Sequence, residues 1–194
     1  MKNRKVAAII QARMASSRLP GKVLTMLGHQ PALEWMINRV KRSKLIDHVI
    51  VATTTDPSDD AVEDFCKERD VACVRGEMFD VLDRVYQAAK QNEVDVIVRL
   101  TGDCPFIDPD LLDDLVSVFL EVEPPLVFAA NRLPMKRTVP IGLDAEICSF
   151  EALEKVWKET TERHHREHVM PYFYENPDLF NTLHLKHDTD YGHM

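Results

Sequence analysis

Arg13, Arg18 and Lys22 fall within the stretch QARMASSRLPGK, which follows the apolar run VAAII and contains a single glycine, Gly21. A loop between a buried strand and a helix is where many α/β proteins hold phosphate, usually on glycine-rich backbone. With one glycine, backbone amides are poorly placed for that task, so the three cations are the candidate phosphate ligands. A second candidate is Asp103 in RLTGDCPFIDP, which comes after another buried run, behind Gly102 and ahead of Pro105. A carboxylate there can hold Mg²⁺, which takes oxygen ligands and is commonly bound by one or two carboxylates plus substrate phosphates. The plainer role for Asp103 is a turn aspartate capping backbone amides. Cations opposite a metal-binding carboxylate are the parts that phosphoryl or nucleotidyl transfer requires, because such catalysis is mainly positioning and charge stabilisation.

The elements that must position these groups can be read from periodicity. Residues 6–10 read as a buried strand, and PALEWMINRVKRS spaces Leu33, Met36, Ile37 and Val40 for a helix with cations in its last turn. HVIVAT is a strand, AVEDFCKER a helix and VACV a short strand. FDVLDRVYQAAKQ is a helix with Phe79, Leu82, Val85, Tyr86 and Ala89 on one face, and VDVIVRL is a strand running into TGDCP. A helix over about 110–121 and the strand LVFAA come next. The alternation predicts an α/β fold, a mostly parallel sheet with helices on both faces in three α/β/α layers. Ligands in such sheets sit outside the carboxyl ends of the strands, where both QARMASSRLPGK and TGDCP lie. Beyond residue 131 the pattern loosens. NRLPMKRTVPIG reads as a loop, LDAEI as a possible strand, SFEALEKVWKETTE as a helix opened by Ser149, RHHREHVMPYFYENP as a further helix and NTLHLKH as an edge strand.

A chain of 194 residues with 45% hydrophobic content suits one domain spanning 1–194, with 131–175 as an elaboration. The net charge of −8 argues against nucleic acid as a partner, yet residues 1–33 hold six cations and no acid. A cationic loop on an acidic body suggests a small anionic ligand held at one place. No run of eighteen apolar residues and no signal-peptide pattern is present, so neither a membrane nor export is expected. Cys66, Cys73, Cys104 and Cys148 lack CxxC spacing and read as reduced thiols of a cytoplasmic protein.

The stretches IIQARMASSRLPGKVL, VIVATTTD, VRGEMFDVLDRVYQA and VRLTGDCPFIDPDLLD resemble the sugar-acid cytidylyltransferases, the CMP-acylneuraminate and CMP-Kdo synthetases. The spore-coat polysaccharide biosynthesis protein F (SpsF) branch is the nearest match, through QARMASSRLPGK, GDCP and the later GLDAE, SFEALE and REHVMPYFYEN. The resemblance implies a nucleotide-diphospho-sugar transferase fold (GT-A-like, Rossmann-like), transfer of CMP from CTP to an acidic sugar, and Mg²⁺ as cofactor. It assigns Arg13 and Lys22 to the triphosphate, Ser16 and Ser17 to its lining, Arg75 to the vicinity of the nucleotide and Asp103 to the metal. Gln11, Ala12, Arg18, Thr101 and Gly102 complete the expected nucleotide site. Asp144, Glu146, Arg166 and His168 are the candidates for the sugar, in an elaboration that binds sugar or dimerises; a homodimer is expected.

Related enzymes place a second metal aspartate in a late D-x-D strand, and this chain ends at HDTDYGHM, about where that segment should begin. Asp188 and Asp190 read as lying before it in a loop, so either the chain stops short of the motif or its branch uses Asp144 or Glu146. Cys104 reads as a small packing residue, with no histidine near it in sequence. His164 and His168 share a helix face, but zinc would need a third ligand, and HExxH is absent. Trp35 and Trp157 read as core, and Tyr172, Phe173 and Tyr174 as core or dimer interface. Two other readings stay open: a GT-A glycosyltransferase using a nucleotide sugar, and a nucleotide-binding module without catalysis.

Overall fold

In the computed structural model, which describes residues 4–16, 19–132 and 137–193, VAAIIQ forms the inner strand β1 (Val6–Gln11). A short antiparallel hairpin, β2 (Met26–Leu27) and β3 (Gln30–Pro31), leads into α1 (Ala32–Val40). Then β4 (His48–Thr54), α2 (Asp60–Glu68), β5 (Ala72–Gly76), α3 (Val81–Gln91) and β6 (Val96–Thr101) alternate as the sequence predicts. The chain continues through α4 (Pro109–Glu121), β7 (Phe128–Ala130), β8 (Glu146–Ser149) and α5 (Phe150–Glu159). It closes with α6 (Arg163–His168), α7 (Pro171–Glu175) and β9 (Thr182–His184).

Seven strands form one sheet in the order β5-β4-β1-β6-β8-β7-β9. β5, β4, β1 and β6 are parallel, β8 is antiparallel to both β6 and β7, and β9 runs parallel to β7 at the edge. Alternation along β1 divides the core. Ala8 and Ile10 meet α1, α2 and α4 through Leu33, Met36, Phe65, Leu115 and Phe119, while Ala7 and Ile9 meet α3 and α5 through Leu82, Val85, Tyr86 and Leu153. This is the expected three-layer α/β/α arrangement, and strand period two produces it. Helix starts are fixed locally: the side chains of Asp80, Asp108 and Ser149 accept amides at the openings of α3, α4 and α5. Among the described residues, no helix is long and apolar enough to cross a membrane.

Four local expectations are corrected. RHHREHVMPYFYENP is two short helices, broken at Val169 (φ 71°) ahead of Pro171, which cannot donate to a continuing ladder. Phe79 precedes α3 and is 58% exposed instead of lying on its buried face. The strand expected at LDAEI begins only at Glu146, leaving Asp144 in the preceding loop. Trp35 is half-buried and pins the hairpin, its indole N–H donating to the Leu27 carbonyl at 2.8 Å. Phe173 and Trp157 pack in or against the core as expected.

The ends of β1 and β6 touch where they leave the sheet. The Gly102 amide donates to the Gln11 carbonyl at 2.8 Å, and a Cβ on Gly102 would lie 2.8 Å from that oxygen and 3.1 Å from the Ala12 Cβ. Only glycine permits this approach. Gly102→Ala is therefore expected to destabilise the fold by about 1–3 kcal/mol, as overpacking does. A urea midpoint equal to wild type would show that the strand ends part without cost.

Candidate active site

Beyond the paired ends of β1 and β6 lies a cleft of about 300 Å³. Gln11, Ala12, Arg13 and Ser16 enter it from the β1 side, and Thr101, Gly102 and Asp103 from the β6 side. The loop after β1 is held by its own backbone and by one buried acid. The Gly21 amide donates to the Met14 carbonyl at 2.8 Å, with Gly21 in the left-handed region at φ 73°. The Asp59 carboxylate, fully buried, accepts the Met14 amide at 2.6 Å and also takes the Thr54 hydroxyl and amide. Asp59 thus ties the cationic loop to the end of β4.

That loop brings Lys22 onto Asp103: its Nζ lies 2.6 Å from Asp103 Oδ2. Both side chains remain partly exposed, 30% and 43%, so the pair itself contributes little to stability, on the order of 0–1 kcal/mol. Burial would push the Asp103 carboxyl up, but the Lys22 ammonium and the Thr101 hydroxyl outweigh it and hold the group below its usual range.

Two cations of the lining, Arg99 and Arg84, lay outside the sequence-derived site. Arg99 in β6 points to the same face as Ile97 and Thr101, donating to the Gln11 side chain and to Glu146 on the adjacent β8. Arg84 reaches the cleft from α3, where Val81, Leu82 and Val85 are buried around it. A cation inside the apolar stripe of α3 was the available signal for Arg84. For Arg99 it was a cation inside a strand buried on both faces. Lys22, Arg13, Arg84 and Arg99 outnumber the lining acids Asp103 and Glu167, so the cleft is cationic on a chain of net charge −8.

A family model described as cytidylyltransferase matches residues 7–193. The chain belongs to the cytidylyltransferase family. It is 43% identical over 182 residues to an uncharacterized protein of Methanocaldococcus jannaschii, covering 94% of this chain and 72% of that one. It is 33% identical over 183 residues to the spore coat polysaccharide biosynthesis protein SpsF of Bacillus subtilis, covering 92% and 73%. A solved cytidylyltransferase structure from Leptospira borgpetersenii superposes with a TM-score of 0.92 at 38% identity, covering 98% of this chain and 79% of that one. The CMP:2-keto-3-deoxy-manno-octonic acid synthetase complexed with CTP shares the fold, with a TM-score of 0.69 at 19% identity over 94% and 90% of the two chains.

Within this cytidylyltransferase the expected site residues separate into two groups. Gln11, Ala12, Arg13, Ser16, Lys22, Thr101, Gly102, Asp103 and His168 line the cleft. Arg75 does not. Its guanidinium is spent on the Thr54 and Asp56 carbonyls and on Asp60 and Glu63, tying α2 to the ends of β4 and β5. Arg166 is likewise engaged by Asp80 and the Trp157 carbonyl, which sets α6 so that Glu167 and His168 face the cleft. Glu146 is 3% exposed, with one oxygen on Arg99 and the other taking the Tyr174 hydroxyl at 2.9 Å, so it stands behind the cleft wall. Asp144 pairs with Arg137 at 3.1 Å and keeps a buried Oδ1 without a hydrogen-bond partner among the described residues. Burial pushes its carboxyl up, against the pull of Arg137 and Arg132. Ser17 and Arg18 lie outside the described residues.

Cys104 is half-buried against the core beside the Thr101 hydroxyl, and burial pushes its thiol up, in keeping with packing. Among the described residues, no three His, Cys, Asp or Glu side chains gather to hold a metal by themselves. His165 is instead a packing histidine between the Thr160 hydroxyl at 2.9 Å and Glu175 at 2.6 Å.

The Lys22 contact has a titratable consequence. Asp103 should titrate below the ordinary aspartate value of about 3.9 when monitored by NMR, and Lys22→Ala should move it up. Because the folded value is lowered, the contribution of the pair is present above the unfolded value and is lost as pH falls through the folded one. An Asp103 value unchanged by Lys22→Ala would mean the contact does not persist in solution.

Proposed function

We propose that the chain transfers CMP from CTP to the hydroxyl of an acidic sugar and releases pyrophosphate, as a step in making surface polysaccharide. One observation carries the reading: Lys22 and Asp103, from two separate strand ends, meet at 2.6 Å in a cationic cleft. Membership in the cytidylyltransferase family supports the nucleotide, and likeness to SpsF supports the polysaccharide setting.

In the reaction the acceptor oxygen bonds to the α-phosphorus, the α–β phosphoanhydride bond breaks, and pyrophosphate leaves with the bonding pair. Lys22 and Arg13 offset charge on the phosphate oxygens as it develops. The acceptor hydroxyl must lose its proton, and Asp103, Glu167 and His168 are lining groups of a type able to take it. The residues present fit Mg²⁺: Asp103 offers a carboxylate at the cleft beside the cations that would take the substrate phosphates, and Mg²⁺ is commonly held by one or two carboxylates plus phosphates. Bound there with the substrate phosphates, Mg²⁺ would supply further charge neutralisation and orientation. Lys22 and Asp103 satisfy each other in the free chain, so each must release the other to meet phosphate or metal. A half-exposed pair is weak enough to do so.

The test is pyrophosphate release from CTP and Mg²⁺ across a panel of acidic sugars. No turnover on any sugar, with CTP still raising the melting temperature, would leave a nucleotide-binding module. Turnover only with a preformed nucleotide sugar would favour a glycosyltransferase. Lys22→Ala and Asp103→Asn are each expected to lower turnover at least about tenfold, roughly 1.4 kcal/mol of barrier. Wild-type rates in both would remove these residues from the reaction.

A further inference from the structure

Arg84 is 2% exposed at the base of the cleft. A guanidinium taken out of water ordinarily brings a carboxylate with it, since burying an unpaired charge is costly. The two other cations lining the cleft that are not exposed each have one: Lys22 has Asp103, and Arg99 has Glu146. Arg84 does not. Its Nη1 donates to the Glu77 carbonyl at 3.3 Å, and its Nε is buried without a partner.

The acids whose charge reaches Arg84 are Asp59 and Asp80, and both are engaged elsewhere. Asp59 holds Met14 and Thr54, while Asp80 holds Arg166 and the Asp83 amide. The remaining charge that reaches it is another cation, Arg13. Burial, reinforced by that repulsion, pulls the Arg84 guanidinium down to about 10. The placement is also built into the backbone. A Cβ on Gly76 would meet Arg84 Cγ at 3.2 Å and Cβ at 3.3 Å, so the stem of Arg84 packs on bare backbone of β5.

Two neighbouring cations at one cleft, one of them desolvated and without a carboxylate, leave a deficit that a multiply charged anion fills. We propose that Arg84 is a polyphosphate-binding residue, whose buried guanidinium receives phosphate oxygens of the nucleotide alongside Arg13. This rests on the nucleotide reading of the cleft and extends the phosphate site to α3, beyond the two strand-end loops.

Arg84→Met keeps an apolar stem and removes the charge. Calorimetry on the full chain would use inorganic tripolyphosphate, CTP and cytidine as probes. Tripolyphosphate and CTP should bind at least about tenfold more weakly to Arg84→Met, the loss expected for charge-assisted hydrogen bonds, with cytidine binding unchanged. The ligand-free melting temperature should not fall, because an unpaired buried cation has been replaced by an apolar group. Arg84→Lys, which keeps charge without the planar fork, should fall between the two. If Arg84→Met does not fold, Arg84→Lys decides on the same tripolyphosphate readout.

Unchanged tripolyphosphate affinity, or an equal loss for cytidine, overturns the proposal. So does a rise confined to the acceptor KM, which would assign Arg84 to the sugar carboxylate. A wild-type chain that binds neither CTP nor tripolyphosphate overturns the nucleotide reading as well. Wild-type binding matched by Arg84→Met overturns this inference alone.

Discussion

Strands β1 and β6 pair in parallel from Val6 opposite Val96 to Gln11 opposite Thr101. Apolar side chains cover both faces of each strand, so a slip of one residue would exchange the sets facing the two cores. The register is therefore pinned along its length, and the loop leaving each strand emerges at a fixed height. Gly102 allows the two chain segments to stay in contact one step past the ladder. Lys22 and Asp103, 81 positions apart in sequence, meet because of this pairing. The loop after β1 could not aim its cations without it, nor without Asp59 anchoring Met14 to the end of β4.

Charge in this molecule is arranged by depth. The exposed Lys22–Asp103 pair is weakly held and available for exchange with ligand. The Arg99–Glu146 pair behind it is buried, and losing either partner would strand a charge away from water. Glu146 is thereby a structural partner that orients Arg99, with Tyr174 holding its second oxygen. This places the antiparallel insertion of β8 beside β6 in the service of the cleft, since β8 carries Glu146 to its position opposite Arg99.

The residues after the parallel half of the sheet illustrate the limits of periodicity. Hydrophobic spacing identified α5 and its Ser149 cap, but it merged α6 and α7 into one helix. The break at Val169 and Pro171 turns α7 back onto the sheet, where Phe173 stacks on Phe128 at 4.8 Å. Pairing with an aromatic on a distant strand decides that turn, and no local pattern reports it. The same holds for Arg75 and Arg166. The family resemblance implied nucleotide contact for Arg75, and Arg166 was a candidate for the sugar, yet both are taken up by carboxylates and carbonyls that folding brings beside them.

The sequence by itself determined the alternating α/β elements, the two-faced core, and the loops carrying Arg13, Lys22 and Asp103, because strand and helix periods and strand-end chemistry are local properties. Membership of the family was legible for the same reason, through motifs that are contiguous runs of residues. Only the tertiary structure decided which charges are already paired. It gave Glu146 to Arg99, Asp80 to Arg166 and Asp59 to the loop after β1, and left Arg84 buried without a carboxylate among the described residues. Pairing and burial depend on strand order and on the antiparallel return of β8, which are long-range outcomes. A cation that binds a ligand and one that binds its own chain look alike until those neighbours are in place.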